Sequence, residues 1–257
     1  MTNALVLAGT RPGGDPFARE LGIAHKALIE IGRKTLLQRV IEALHLAGIE
    51  RVLVSADDGL VAQLARELGA EVIAPHAGPS GSVAAAFDHA GAPLVVTTSD
   101  HALLRAEWVR ELIEETPSTA DLSVMLAERK VVEAAIPDTR RTYLRFADGH
   151  WSGCNLFYLQ SPAARSAIET WAVVEADRKR PWRIAARLGP RTLVSMLLGR
   201  LTMSEGLARL GSRIGIEAAL VPASDGLAAV DVDKAADLEA VRAIVAARQE
   251  KASSSAD

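Results

Sequence analysis

Residues 1–28 read MTNALVLAGTRPGGDPFARELGIAHKAL. A short apolar run, Ala4–Leu7, gives way to a loop bearing Gly9, Gly13 and Gly14, with Arg11 inside it and Lys26 at its far end. A strand, a glycine-bearing loop and then a helix is how α/β folds build phosphate sites. Glycines let backbone N–H groups approach an anion, and side-chain cations complete the neutralisation. The spacing matches neither G-x-G-x-x-G nor G-x-x-x-x-G-K-[ST], which argues against a Rossmann dinucleotide site and a P-loop. A surface loop with incidental charges is the other reading of these residues.

Working outward, strand and helix patterns alternate. Helices are expected over Lys34–Ala47, Gly59–Leu68, Ser80–His89 (Ser80 or Ser82 near its cap) and Glu107–Glu115. Strands are expected over Arg51–Ser55, Glu71–Ala74 and Pro93–Thr98. Several of these strands are apolar on both faces, as a parallel sheet covered by helices on both sides requires. The later chain changes character. Strands are expected at Leu122–Leu126, Thr142–Phe146 and Gly153–Leu159, then an interrupted helical stretch over Pro162–Leu210. Strands near Ala218–Val221 and at Ala228–Val232 precede a helix over Lys234–Ala247. No Gly/Ser/Pro-rich linker divides the chain. The expectation is a single domain over 1–250: a nucleotide-binding half (1–118), an acceptor-binding half with a helical elaboration (119–225), and a closing strand and helix (226–250). A disordered tail is expected over 251–257.

Composition sets bounds on partners. Of the 257 residues, 49% are hydrophobic and 24% charged, which fits a globular protein with a large core. A net charge of −3 gives no global field toward nucleic acid, so any anion site must be local. The lone cysteine, Cys154, excludes a disulfide within the chain. With no signal-peptide pattern and no apolar run of membrane-spanning length, a cytoplasmic location is expected.

Asp100 ends the apolar strand PLVVTT, and in open α/β sheets ligands bind beyond the carboxyl ends of strands. If this strand neighbours the first, Asp100 and the glycine loop share a crevice. A carboxylate beside bound phosphates calls for a cation between them, the position Mg²⁺ takes on one or two carboxylates. The alternative for Asp100 is a helix N-cap. Late in the chain, AAVDVDKAADLEAV offers Asp231 and Asp233 on alternating positions of a strand end, where both can face one side. Asp233 is equally suited to capping the helix that follows.

LAG-T-R…K-A-L, GPSGSV, LVVTTSDHALL and VDVDKAADLE occur in that order. Together, over residues 1–110 and 225–245, they resemble the MobA-like nucleotidyltransferases. The resemblance implies a GT-A-like (Rossmann-like) three-layer α/β/α fold with a mixed, mostly parallel sheet and a helical insertion. It implies Mg²⁺-dependent (or Mn²⁺-dependent) transfer of NMP from an NTP to a small phosphorylated acceptor with release of pyrophosphate, CTP being one candidate nucleotide. Leu7, Ala8, Gly9, Thr10 and Arg11 would line the nucleotide, with Ser82 near base and ribose. Arg11, Lys26 and Asp100 would be catalytic, and Asp100 with Asp231 or Asp233 would supply the metal site. The Arg11–Lys26 stretch is longer than the family's compact loop, with Pro12, Asp15 and Pro16 in place of small residues. That leaves Lys26 open to the acceptor as well.

The acceptor side falls to the second half. DTRRTYLRF places Arg141, Tyr143 and Arg145 on alternating positions that one sheet face can present. Gly153 permits close approach, and Asn155 offers a donor and an acceptor. Arg178 and Lys179 open a basic run through Arg183, suited to phosphate or simply a solvated helix face. His101 is a candidate base or a structural hydrogen bonder, and Cys154 reads as a small buried residue. The apolar, arginine-dotted segment 188–211 is expected to form core helices, with a membrane-grazing surface as its alternative. Two other classes stay open: a GT-A glycosyltransferase using a nucleotide sugar, and a non-catalytic nucleotide-binding regulator.

Overall fold

The computed structural model describes residues 1–10, 13–137, 139, 141–177, 189, 192, 194–195 and 198–254. In chain order these form β1 (Asn3–Leu7), α1 (Pro16–Glu20), β2 (Glu30–Ile31), β3 (Lys34–Thr35), α2 (Leu36–Leu46), β4 (Val52–Ser55), α3 (Leu60–Glu67), β5 (Glu71–Ile73), α4 (Gly78–Ala90) and β6 (Leu94–Thr98). Next come α5 (Ala106–Glu114), β7 (Leu122–Glu128), α6 (Arg129–Ala135), β8 (Leu144–Phe146), β9 (Gly149–Leu159), α7 (Arg165–Ala176), α8 (Met203–Arg213), β10 (Ala218–Pro222) and α9 (Ala235–Ser254).

The central sheet runs β10-β7-β9-β6-β1-β4-β5, with β8 added beside β9. β1 pairs in parallel with β4 and β6, and β4 with β5. β9 is antiparallel to both β6 and β7, and β10 is parallel to β7. The sheet is thus mixed and mostly parallel. Strand order proceeds from β1 outward through β4 and β5, then returns to place β6 on the other side of β1. That reversal opens a crevice at the carboxyl ends of β1 and β6.

Side-chain alternation splits the interior into two layers. Ala4, Val6, Val52, Val54 and Val95 face α2 and α5, whose Leu37, Val40, Ile41, Leu44, Val109 and Leu112 are buried against them. Leu5, Leu53, Leu94 and Val96 face the other way, onto Val83 and Phe87 of α4 and Ile168 of α7. Each fully buried Leu or Val contributes about 1.5–3 kcal/mol, so these helices are held mainly by packing. Local signals set their ends: the Thr35 hydroxyl accepts from Gln38 N–H to start α2, and Gly48 follows its end at φ +92°.

Several boundaries differ from expectation. Residues 228–232 form no strand. Asp225 caps a 3-10 turn over Gly226–Ala229, and Gly226 lies so close to α6 that a Cβ would sit 2.3 Å from the Val131 carbonyl oxygen. The apolar pattern there comes from burial against several elements, with no ladder to demand alternation. Only Leu144–Phe146 of the expected Thr142–Phe146 strand is extended in the sheet, so Arg141, Tyr143 and Arg145 do not share one strand face. α4 begins at Gly78, with Ala77 as its N-cap residue, which places Ser80 in its first turn and Ser82 at the start of the second. α9 runs to Ser254, into the stretch expected to be a tail. Of the expected helical stretch 162–210, α7 and the start of α8 are described. The remainder of that stretch, including Arg178, Lys179 and Arg183, lies largely outside the described residues, as do Arg11 and residues 255–257. Among the described residues no helix is long and apolar enough to cross a membrane.

Candidate active site

β1 and β6 pair with Leu7 opposite Thr98, so the glycine loop and Asp100 leave the sheet side by side. Ser99 N–H donates to the Leu7 carbonyl at 3.0 Å, and Thr10 N–H to Asp57 at 3.2 Å. Gly9 admits a close approach: a Cβ there would lie 3.3 Å from that of Pro75, on the loop before α4. Asp15 starts α1 by accepting from Phe17 and Ala18 N–H.

Lys26 begins a 3-10 turn capped by His25, whose Nδ1 accepts from Ala27 N–H at 3.0 Å. Burial lowers the His25 pKa, and its ring faces the Gly9 carbonyl. A neutral ring therefore ties the lysine turn to the glycine loop.

Lys26 Nζ sits at the centre of a carboxylate ring. It pairs with Asp100 Oδ2, with Asp233 Oδ1 at 2.7 Å and with Asp15 Oδ2 at 4.0 Å. The side chains of Lys26 and Asp100 are 18% and 11% exposed, whereas Asp233 is 62% exposed and reaches in from the rim. Burial by itself lowers the lysine pKa. The charge and hydrogen bond of Asp100, then those of Asp233, outweigh it and raise the Lys26 pKa, so the ammonium is firmly held. Asp100 Oδ1 is buried without a hydrogen-bond partner among the described residues. Asp100 caps no helix; α5 has Arg105 at its N-cap, and the Asp100 carbonyl accepts from Val232 N–H at 3.1 Å. That bond brings the late acidic segment onto the strand end.

The two late aspartates then part. Asp233 turns to Lys26, while its own N–H and that of Lys234 donate to Asp237, which caps α9. Asp231 turns to the opposite wall, where Arg141 donates to it at 2.8 Å and Asn155 Nδ2 at 3.1 Å. With no strand in 228–232, alternation does not aim them to one side. Asn155 reaches Asp231 through a bulge in β9. The register with β7 jumps from Met125–Leu156 to Leu126–Gly153, and Asn155 adopts φ +50°. Bulges and left-handed non-glycine residues concentrate where a side chain must be re-aimed, at a cost of about 1–3 kcal/mol.

Other candidates lie further off. Ser82 is buried and accepts from His76 N–H at 3.0 Å, shaping the loop before α4. Glu175 of α7 accepts from the Ser80 N–H at 3.2 Å and hydroxyl at 2.5 Å, covering the start of α4. Arg145 is exposed on β8. His101 is buried, stacks on Trp108 at 6.0 Å and is pushed down to about 4 by burial, so it is a neutral structural ring. Burial also pushes the Cys154 thiol up to about 12. Among the residues now in contact with the cluster, sequence reasoning missed Asp15, His25 and Asp57. Asp15 carries a readable signal, since an aspartate before Pro16 is an N-cap pattern.

A divalent cation can be tested against this set. Among the described residues no group of three or more His, Cys, Asp or Glu side chains forms a protein cage. The orphaned Asp100 oxygen and the Asp233 carboxylate, both gripping one ammonium, fit the one or two carboxylates that Mg²⁺ takes when substrate phosphates and water complete its shell.

No curated protein matches the sequence. A hypothetical transferase structure from Thermus thermophilus is 32% identical, with a TM-score of 0.79 over 92% of this chain and 99% of that one. A CMP:2-keto-3-deoxy-manno-octonic acid synthetase complexed with CTP is 18% identical, with a TM-score of 0.60 over 96% and 99%. A putative glucose-1-phosphate thymidylyltransferase from Bacillus anthracis is 14% identical, with a TM-score of 0.58 over 95% of each chain. The last two share the fold, which is GT-A-like. The MobA-like NTP transferase domain matches residues 4–188, which include Gly9, Lys26, Asp100, Arg141 and Asn155 but not Asp231 or Asp233, and the chain therefore belongs to that family of nucleotidyltransferases.

Proposed function

We propose that this protein transfers a nucleotidyl group from an NTP to a small phosphorylated acceptor and releases pyrophosphate. The observation that carries the reading is the convergence of Lys26, Asp100 and Asp233 at the carboxyl ends of β1 and β6. In the proposal Asp100 and Asp233 hold Mg²⁺ or Mn²⁺. When bound, that ion would offset phosphate charge. Lys26, released from Asp100 as phosphate oxygens arrive, neutralises the triphosphate together with Arg11. The backbone of Leu7–Thr10 lines the nucleotide, and the loop shaped by Ser82 flanks the base.

Opposite them, Arg141 and Asn155 bind and orient the acceptor, with Asp231 fixing both donors. Arg178 and Lys179, which lie outside the described residues, and the exposed Arg145 supply further positive charge for the acceptor in this proposal. A phosphate monoester has a second pKa of about 6 and is mostly dianionic at pH 7. It attacks without a general base, which agrees with a buried, neutral His101. The work left to the protein is alignment and charge stabilisation. CTP is the first nucleotide to try, since one fold relative was solved with it.

Pyrophosphate release measured with four NTPs against a panel of phosphorylated acceptors tests the reading. Release that requires both substrates and a divalent cation is expected. Release of a nucleoside diphosphate from a nucleotide sugar, with no pyrophosphate under any pairing, would overturn it.

A further inference from the structure

On the far side of α2 lies a cleft of about 870 Å³, within the size range of small-ligand sites. None of Gly9, Lys26, Asp100, Asp231 or Asp233 lines it. Its cations are Arg33, Lys34, Arg39, Arg105 and Arg248, against two carboxylates, Glu42 and Glu107. Those carboxylates are already engaged: Glu42 pairs with Lys34 at 2.5 Å, and Glu107 with Arg105 at 3.1 Å. Arg33, Arg39 and Arg248 have no ion pair among the described residues.

Arg39 and Arg248 come from different helices, α2 and α9, and both are half-buried. The Arg39 Nε is buried without a partner, while one terminal nitrogen donates to the Ile31 carbonyl at 2.5 Å. Burial lowers the pKa of both guanidiniums. Glu42 offsets part of this at Arg39 and Asp225 part of it at Arg248, while Arg248 lowers Arg39 further and Arg105 lowers Arg248. Half-buried like charges held together are unfavourable without a counterion. Guanidinium forks match phosphate bidentately, and the neighbouring Ala43, Leu46 and Leu103 give the concavity an apolar wall. Leu46 is 72% exposed there, so an organic group has apolar surface to cover.

We infer that this cleft is a second anion site, built by Arg39, Arg105 and Arg248 to take a small phosphate-bearing ligand. It does not depend on the reaction proposed above. Calorimetric titration of the full chain with inorganic pyrophosphate tests it, in a Lys26→Gln background that removes the central cation of the first site. Saturable binding is expected, weakened about tenfold or more by Arg39→Gln with Arg248→Gln. Arg105→Gln, at an exposed side chain that leaves the core intact, is expected to weaken it about threefold. Cytidine and adenosine monophosphates run alongside distinguish an organophosphate ligand from an inorganic polyphosphate by which binds tighter. Binding unchanged in both arginine variants, or no saturable binding in Lys26→Gln, overturns the inference.

Discussion

The wall that carries Gly9, Lys26 and Asp100 grows from loops at the ends of two paired parallel strands, whereas the wall that carries Arg141, Asn155 and Asp231 comes from irregular chain and a bulged strand. On the first wall, position follows from topology: once β1 and β6 pair, the loops that leave them have nowhere else to meet. On the second, position follows from side-chain bonds, with Asp231 clamping an arginine from one segment to an asparagine from another. In the proposed reading, the wall set by the sheet carries the chemistry. A wall set by side chains can be altered one contact at a time, and it is the wall the proposal assigns to the acceptor.

The largest effect should come from Asp100→Ala, where we expect pyrophosphate release to fall about 10³-fold while circular dichroism and the melting curve stay near wild type. A folded variant with full activity would place the chemistry elsewhere. Next is the pH response of the first wall. Burial holds His101 at about 4, below its ordinary 6.5, so between those values the unfolded chain binds a proton that the fold refuses. Its contribution is complete above about pH 6.5 and is lost as pH falls toward 4, about 3 kcal/mol in all. Chemical denaturation across pH 4–7 should show that slope, flattened in His101→Gln. Lys26→Gln should lower kcat/KM for the NTP about 10²-fold, leaving acceptor KM little changed. Asn155→Ala should do the reverse, raising acceptor KM about tenfold with NTP kinetics nearly intact. Equal effects of these last two on both substrates would erase the distinction between the walls.

The first wall was legible because its signals are local. Ala4–Leu7 and Leu94–Thr98 are apolar on both faces, glycines follow the first strand, and Asp100 ends the second. The second wall depends on register. Nothing in the order of residues 149–159 announces that Cys154 and Asn155 bulge out of the ladder, since that is decided by how β9 meets β7. Asp231 and Asp233 show the same limit: alternation aims both to one side only if a strand forms, and the chain there runs from a 3-10 turn over Gly226–Ala229 into irregular backbone. The Lys26–Asp233 pair joins residues 207 apart, a span that family resemblance can suggest but spacing cannot.

A crystal structure with Mg²⁺ and a non-reactive CTP analogue tests the central claim most directly. The account expects the metal on Asp100 and Asp233, the phosphates against the Gly9 loop, and Lys26 withdrawn from Asp100 to the triphosphate. Nucleotide bound away from the β1–β6 crevice, or a Lys26–Asp100 pair left intact beneath it, would contradict the account.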